Sequence, residues 1–385
     1  MANKRMPRGV IYEDDKNMYK GRFQYSGERY TVYGKTIKEV TEKMDLMRFE
    51  VKHGIYCKPK DETVSSWYKT WIEQYKKNTV KPSTLHEYQN DFRIHIEPVI
   101  GKKKMCDIQS HAIQKLINDM HTKGYSKTTI SNTFTVINGM FKQAFMNQII
   151  IRNPCDAVSL PKWQQCKKER RVMTQAEQDI FLKYAEQSSY YDVLVVALQT
   201  GMRISEILGL EWDNIDFEKK EIQVTGTLVF ISGQTRYKGT PKTFSGARTI
   251  PMLPEVEKIL HSRRKWQLKN RMVLGSEYGS ITKLKNPVMT CNNGEIYWAE
   301  NIRTEMRLIV KRINDDGIPF EAITPHTLRH TFATRCAEQG MPLQVLKNIL
   351  GHSSLAMTSD LYSHVLPDTK HEEMKKINFE RKTAL

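Results

Sequence analysis

Between residues 10 and 33 apolar and polar positions alternate in short aromatic and β-branched runs. These are Val10-Ile11-Tyr12, Tyr19 to Tyr25 and Arg29 to Tyr33, with Asp14-Asp15 and Ser26-Gly27 between them. Runs of that length bounded by turn residues predict three β-strands. From Ile37 to about Val51 the period lengthens, with Val40, Met44, Met47 and Phe49 near one side, which predicts a helix. Such a small module makes only a marginal core.

Residues 57–62 (Cys-Lys-Pro-Lys-Asp-Glu) read as a linker, after which helical periodicity resumes with Trp67, Trp71, Ile72 and Tyr75. Further helices are predicted near 83–96, 107–122, 126–149 and 152–158, with Asn153-Pro154 breaking the pattern near the end. Past Met173, Thr174 followed by Glu177 has the spacing of a capping box and opens a helix to about Gln187. Helices follow over 190–199 and 202–210. Residues 221–224, 227–231 and 248–252 read as strands of one small sheet. Helices return at 254–271, 297–313, 326–339, 342–350, 354–364 and 368–377. The expected fold class is therefore multidomain α+β. It has a three-stranded module with a helix (1–57), a helical domain (58–170) and a mostly helical domain with a small antiparallel sheet (171–385).

Charge refines this division. The chain has 385 residues and a formal charge of +17, of which the helical segment 58–170 holds 19 basic against 10 acidic residues. The first module carries 12 basic and 8 acidic, and the last segment 29 and 25. A basic excess concentrated in one segment points to a polyanion, most simply nucleic acid. Its dense clusters, Lys102-Lys103-Lys104 and Lys167-Lys168-Glu169-Arg170-Arg171, together with Lys127, are the candidate DNA contacts, although a charge run also serves as a solvated face. No run of about 18 apolar residues exists to span a membrane. Met1-Ala2-Asn3-Lys4-Arg5 has no apolar segment of the signal-peptide kind. The six cysteines (57, 106, 155, 166, 291, 336) are scattered without a Cys-x-x-Cys pair, so reduced thiols in a cytoplasm are expected.

Four stretches carry polar groups that helix packing does not require. In Thr200-Gly201-Met202-Arg203-Ile204-Ser205-Glu206, Arg203 and Glu206 sit at i,i+3, which by itself could be a surface ion pair of little worth. In Pro325-His326-Thr327-Leu328-Arg329-His330, His326 and Arg329 share a face. His326 and His330 also have the zinc-binding offset, but Thr327 stands where a zinc protease needs glutamate. Gly351-His352-Ser353-Ser354 can end one helix and begin another. Finally, Tyr362 lies in Thr358-Ser359-Asp360-Leu361-Tyr362.

In this order the stretches resemble the tyrosine recombinase family, the integrases of phages and conjugative elements. That family's signature is an arginine, then His-x-x-Arg, then His or Trp, then a nucleophilic tyrosine. Here these are Arg203, His326-Thr327-Leu328-Arg329, His352 and Tyr362. The ten-residue step from His352 to Tyr362, where many members have nine, matches integrases of mobile elements. The family also places a lysine on a β-hairpin after the first arginine. Lys242 fits it, with Lys238 as the competing choice.

The resemblance implies a site-specific recombinase that cuts and rejoins DNA through a 3′-phosphotyrosine and a Holliday junction, integrating and excising a mobile element. It implies an arm-binding module at 1–57, a core-binding domain at 58–170 and a catalytic domain at 171–385. In the family's terms Arg203 and Arg329 would bind the phosphate, His326 would take the tyrosine proton, and Lys242 would protonate the leaving oxygen. His352 would donate to the phosphate and Glu206 would orient its neighbours. No metal, ATP or other cofactor is expected. Expected partners are double-stranded DNA at core and arm sites, a homotetramer on that DNA, an excisionase and DNA-bending proteins. In the tail 366–385, Ile377 and Phe379 would anchor on a neighbouring protomer. Two other readings stay open: a resolvase of chromosome or plasmid dimers, and a DNA-binding regulator that has lost catalysis.

Overall fold

A computed structural model describes residues 6–53, 62–163, 170–231, 235–239, 246–279 and 284–362. The chain divides into two compact units, residues 1–165 and 166–385.

In the first unit β1 (Val10–Glu13), β2 (Met18–Tyr25) and β3 (Glu28–Gly34) form an antiparallel sheet in that order. Ser26 and Gly27 both take positive φ, 47° and 84°, so β2 and β3 meet through a tight turn whose twist suits a hairpin. The helix α1 (Ile37–Lys52) starts where the Thr36 side chain accepts the Glu39 amide at 3.2 Å. Val10, Val32, Val40 and Met44 make its small core. Gly21 makes the close approach possible, since a Cβ there would lie 2.3 Å from the Met44 sulfur.

A second core in this unit is built by α2 (Val64–Trp71), α3 (Pro82–Asp91), α4 (Glu97–Ile100), α5 (Ser110–Thr122) and α6 (Lys127–Met146). Trp67, Trp71, Ile96, Ile113, Ile137 and Phe141 fill it. The helix expected over 83–96 runs on to Ile100 but widens into a π turn over Phe92–Ile96. Pro98 stands two residues beyond it. Its ring has no N–H and crowds the carbonyl four residues back, so the ladder must loosen there. Residues 152–158 are turns rather than the expected helix. The Asn153 side chain takes the Cys155 amide at 3.1 Å, a local bond that competes with helix formation.

The second unit begins with α7 (Gln175–Ala185), whose capping box is complete: Thr174 accepts the Glu177 amide and Glu177 accepts that of Thr174. Next comes α8 (Tyr191–Thr200), buried nearly all round from Val193 to Leu198, which makes it the central helix. Against it pack α7, α9 (Ile204–Leu208), α10 (Pro254–Leu274) and α12 (Pro325–Glu338), while α11 (Ala299–Asp315) packs on α7 and α9, and α13 (Leu343–Leu350) and α14 (Leu355–Tyr362) pack on α12.

The strands form two sheets rather than one. In the first, β4 (Ile215–Asp216), β5 (Glu221–Val224) and β8 (Arg248–Pro251) pair antiparallel. In the other, among the described residues, β6 (Thr227–Ile231) pairs with β7 (Thr235–Gly239). β4, two residues long, and β7, whose Thr-Arg-Tyr-Lys-Gly run offers no apolar alternation, leave no signal in the sequence pattern. No helix among the described residues is long and apolar enough to cross a membrane.

Candidate active site

Three of the expected catalytic residues, Arg203, His326 and Arg329, line one cleft, and helix boundaries place them there. Helix α8 ends at Gly201 with φ 63°, a left-handed conformation that glycine adopts freely, and α13 ends likewise at Gly351 with φ 67°. Each left-handed cap leaves helix-terminal carbonyls free to accept. Arg329, on α12 and 4% exposed, donates to two of them: Gly201 O at 2.9 Å and Leu350 O at 2.5 Å. Carbonyls at helix C-termini carry partial negative charge and suit a buried cation. One guanidinium therefore ties the loop that leads to Arg203 to the loop that leads to His352. Burial and the Arg203 charge both press down the Arg329 pKa, to about 9, while the Glu206 carboxylate works against them.

Arg203 is the N-cap of α9 rather than a member of its face, because the left-handed Gly201 delays the helix by two residues. Its backbone N–H donates to Glu206 at 2.9 Å and its guanidinium to the other carboxylate oxygen at 2.7 Å. Glu206 is 2% exposed, so the pair is not a surface ion pair. A second cation closes it: Arg248, on β8 with a side chain 5% exposed, donates to both Glu206 oxygens at 2.8 and 3.2 Å. Burial opposes the Glu206 charge, but Arg248 and Arg203 outweigh it and hold the carboxyl below its ordinary range. Arg248 also donates to Ile349 O and Gly246 O.

His326 stands at the second position of α12, after Pro325. Desolvation in the cleft, then the charges of Arg329, Arg203 and Arg303, hold it below the ordinary histidine pKa. It is therefore neutral near pH 7 and able to accept a proton. His352 is 9% exposed and pushed down to about 4 by burial and by Arg329 and Arg203. Its Nδ1 lies 2.9 Å from the hydroxyl of Thr358. Arg203, Glu206, His326, Arg329, Gly351 and Ser353 line a cleft of about 850 Å³, with Arg303 and Arg307 along one wall. Those two arginines are tied to Glu300 at 3.0 and 3.1 Å. Tyr362 is the last residue of α14, and its side chain lies outside what is described.

Lys242 lies outside the described residues; Lys238 pairs through its backbone with Leu228 in the β6–β7 hairpin. Among the candidate DNA contacts, Lys102, Lys103, Lys104, Lys127 and Arg170 are exposed, while Lys167 and Lys168 lie outside the described residues. Arg171 is engaged internally, 3.2 Å from Glu177 and 2.9 Å from Glu321. The tail anchors Ile377 and Phe379, with Cys57 and Cys166, also lie outside.

Arg248, Arg303, Arg307 and Thr358 escaped the sequence reading. For Arg248 a signal existed: it is two residues from buried Ile250, hence on the same face of its strand, and a charge on a buried face needs a partner. For Thr358 there was none, because its spacing to His352 crosses a helix boundary.

Residues 169–368 match the sequence model of the phage integrase family, and residues 63–121 that of the phage integrase N-terminal SAM-like domain. The chain is 29% identical to a tyrosine recombinase XerC-like protein of Caldanaerobacter subterraneus, over 91% of each chain. It is 28% identical to the transposase from transposon Tn916 of Enterococcus faecalis, over 88% of this chain and 83% of that one. In structure it is similar to the Tn1549 transposon integrase in complex with a circular intermediate DNA, with a TM-score of 0.68 and 30% identity. That match spans 82% of this chain and 99% of the other. A lambda integrase dimer bound to a core site shares the fold at a TM-score of 0.56 and 17% identity.

Proposed function

The chain belongs to the phage integrase family of tyrosine recombinases, enzymes that break and rejoin DNA strands, and from that premise we propose the residues that do so here. The observation that supports the assignment is the convergence of Arg203, His326 and Arg329 on one cleft, with Gly351 and Ser353 in its wall.

The reaction is displacement at a phosphodiester. The Tyr362 hydroxyl attacks phosphorus, the 5′ oxygen departs, and a 3′-phosphotyrosine forms. A free tyrosine ionises near pH 10, so its proton has to be taken as attack begins. His326, neutral and beside the arginines, is the base, and it returns the proton in religation. Negative charge grows on the two non-bridging oxygens. Planar guanidiniums meet those oxygens with paired hydrogen bonds that strengthen in the transition state. Arg203 and Arg329 fill this role, and Glu206 holds Arg203 at both its backbone and its side chain. His352 donates a further hydrogen bond, and Lys242 protonates the leaving oxygen. The bond energy stays in the phosphotyrosine, so no cofactor has to supply it.

Residues 1–57 act as an arm-binding module, 58–170 as a core-binding domain that grips DNA through Lys102, Lys103, Lys104, Lys127, Lys167, Lys168 and Arg170, and 171–385 as the catalytic domain. Arg171, held by two carboxylates, serves as an internal tie instead. The enzyme works in the cytoplasm as a tetramer on DNA, with excisionase and DNA-bending proteins setting direction. It moves a conjugative or phage-like element; the two transposon relatives favour this over dimer resolution. The test is incubation with nicked suicide attachment-site DNA in EDTA, followed by a denaturing gel. A covalent adduct lost in Tyr362→Phe is expected. Absence of any adduct on attachment-site DNA would overturn the assignment.

A further inference from the structure

Thr358 is fully buried on α14, one helical turn before Tyr362. A hydroxyl sealed from water must give its proton to an acceptor or suffer the full desolvation penalty. Two other buried helical threonines give theirs to the carbonyl one turn back, Thr200 to Val196 O at 2.6 Å and Thr331 to Thr327 O at 2.9 Å, while the buried hydroxyl of Thr133 has no partner among the described residues. Thr358 departs from that habit. Among the described residues its hydroxyl has one partner, the Nδ1 of His352 at 2.9 Å.

The direction of that bond decides the chemistry of His352. If the imidazole donated through Nδ1, the Thr358 proton would have no acceptor in a buried setting, and Nε2 would carry a lone pair that repels a phosphate oxygen. If the hydroxyl donates, both groups are satisfied at once. Nδ1 then holds the lone pair and Nε2 carries the hydrogen, since the tautomer follows the bond made by the other nitrogen. Resting on the reading of the cleft as a phosphate site, we infer that Thr358 is a positioning residue whose hydroxyl donates to Nδ1 of His352, fixing the tautomer that presents Nε2–H to the scissile phosphate.

The same bond has a mechanical consequence. Thr358 stands four residues before Tyr362 on α14, so the contact sets the register of the tyrosine helix against the ring that binds the phosphate. A tyrosine helix that drifts away releases the ring. Phosphate binding and nucleophile placement are thereby linked through one hydroxyl.

The test compares adduct formation on nicked suicide DNA by the full-length protein and by Thr358→Ser, Thr358→Val, His352→Gln and the double variant Thr358→Val/His352→Gln. Long-range ¹H–¹⁵N spectra of the histidine rings accompany it, with His352→Gln supplying the assignment. Thr358→Ser keeps the donor and should stay near the wild-type rate. Thr358→Val should slow adduct formation roughly ten- to hundredfold, the range for removing a partner that orients an imidazole. It should cost nothing further once His352 is gone, a non-additivity that a packing role would not produce. The wild-type His352 ring should carry its hydrogen on Nε2. The inference is overturned by a hydrogen on Nδ1, by wild-type speed in Thr358→Val, or by an equal further loss in the His352→Gln background. Should Thr358→Val not fold, the ring spectrum of the wild-type protein decides. If the wild-type protein forms no Tyr362-dependent adduct, the reading of the cleft fails while the spectrum still tests the hydrogen bond.

Discussion

Glu206 joins two arginines at opposite depths, and replacing it separates what each contributes. In Glu206→Leu the Arg203 side chain, 36% exposed, can rehydrate, but Arg248, 5% exposed, cannot. Among the described residues it keeps the carbonyls of Ile349 and Gly246. Breaking a buried ion pair by removing one partner costs about 3–5 kcal/mol, because the remaining charge is uncompensated. For a unit of this size each kcal/mol moves the midpoint by about 2–4 °C. The unfolding transition of the catalytic unit should therefore fall by roughly 6–20 °C in calorimetry of the full chain. Removing both partners in Glu206→Leu/Arg248→Met should recover most of that loss, since apolar side chains replace a buried pair at little cost. Adduct formation should not recover, because Arg203 has lost the carboxylate that aims it. A midpoint within about 1 °C of wild type for Glu206→Leu, or a double variant no more stable than the single, would refute the claim that buried charge dominates here.

Three further outcomes follow from the geometry. Gly201→Ala places a Cβ 2.4 Å from the Phe332 ring at φ 63°, so denaturant titration should show a loss of about 2–4 kcal/mol. His330 and His352 are both held down to about 4, against 6.5 for an unperturbed ring. Between those values the unfolded chain binds the extra protons, so stability declines as pH falls from about 6.5 and the penalty is complete near pH 4. For His352 it amounts to about 3 kcal/mol, and His352→Phe should flatten the slope measured by denaturation across that window. Replacing Lys102, Lys103 and Lys104 by alanine should make the loss of DNA affinity with salt shallower, by about 0.9 in the log–log slope for each lysine seated on a phosphate. Filter binding at several salt concentrations reads this directly, and an unchanged slope would remove these lysines from the DNA interface.

Most of the architecture was legible because it is written in local periods. The Trp67, Trp71, Tyr75 spacing, the Thr174–Glu177 box and the Ser26-Gly27 turn are each decided within a few residues. What stayed hidden depended on partners far along the chain. The β6 strand reads like its neighbours, yet it leaves their sheet because β7, polar and unremarkable in sequence, is the strand that meets it. Likewise Arg203 and Glu206, at i,i+3, have the look of an exposed pair. Glu206 is in fact buried, and Arg248, 42 residues later, pairs with it there and turns a weak surface contact into a fixed mount for the first arginine. The same holds for Arg329, whose two carbonyl partners come from helix ends 128 and 21 residues away. The motif residues were named by their resemblance to a family signature, whose residue types suit the proposed chemistry: guanidiniums for a phosphate, an imidazole for a proton, a phenol to attack. The residues that aim them are under no such prescription. Any buried carboxylate, hydroxyl or carbonyl at the right point in space will serve, so their identities emerge only once the chain has folded.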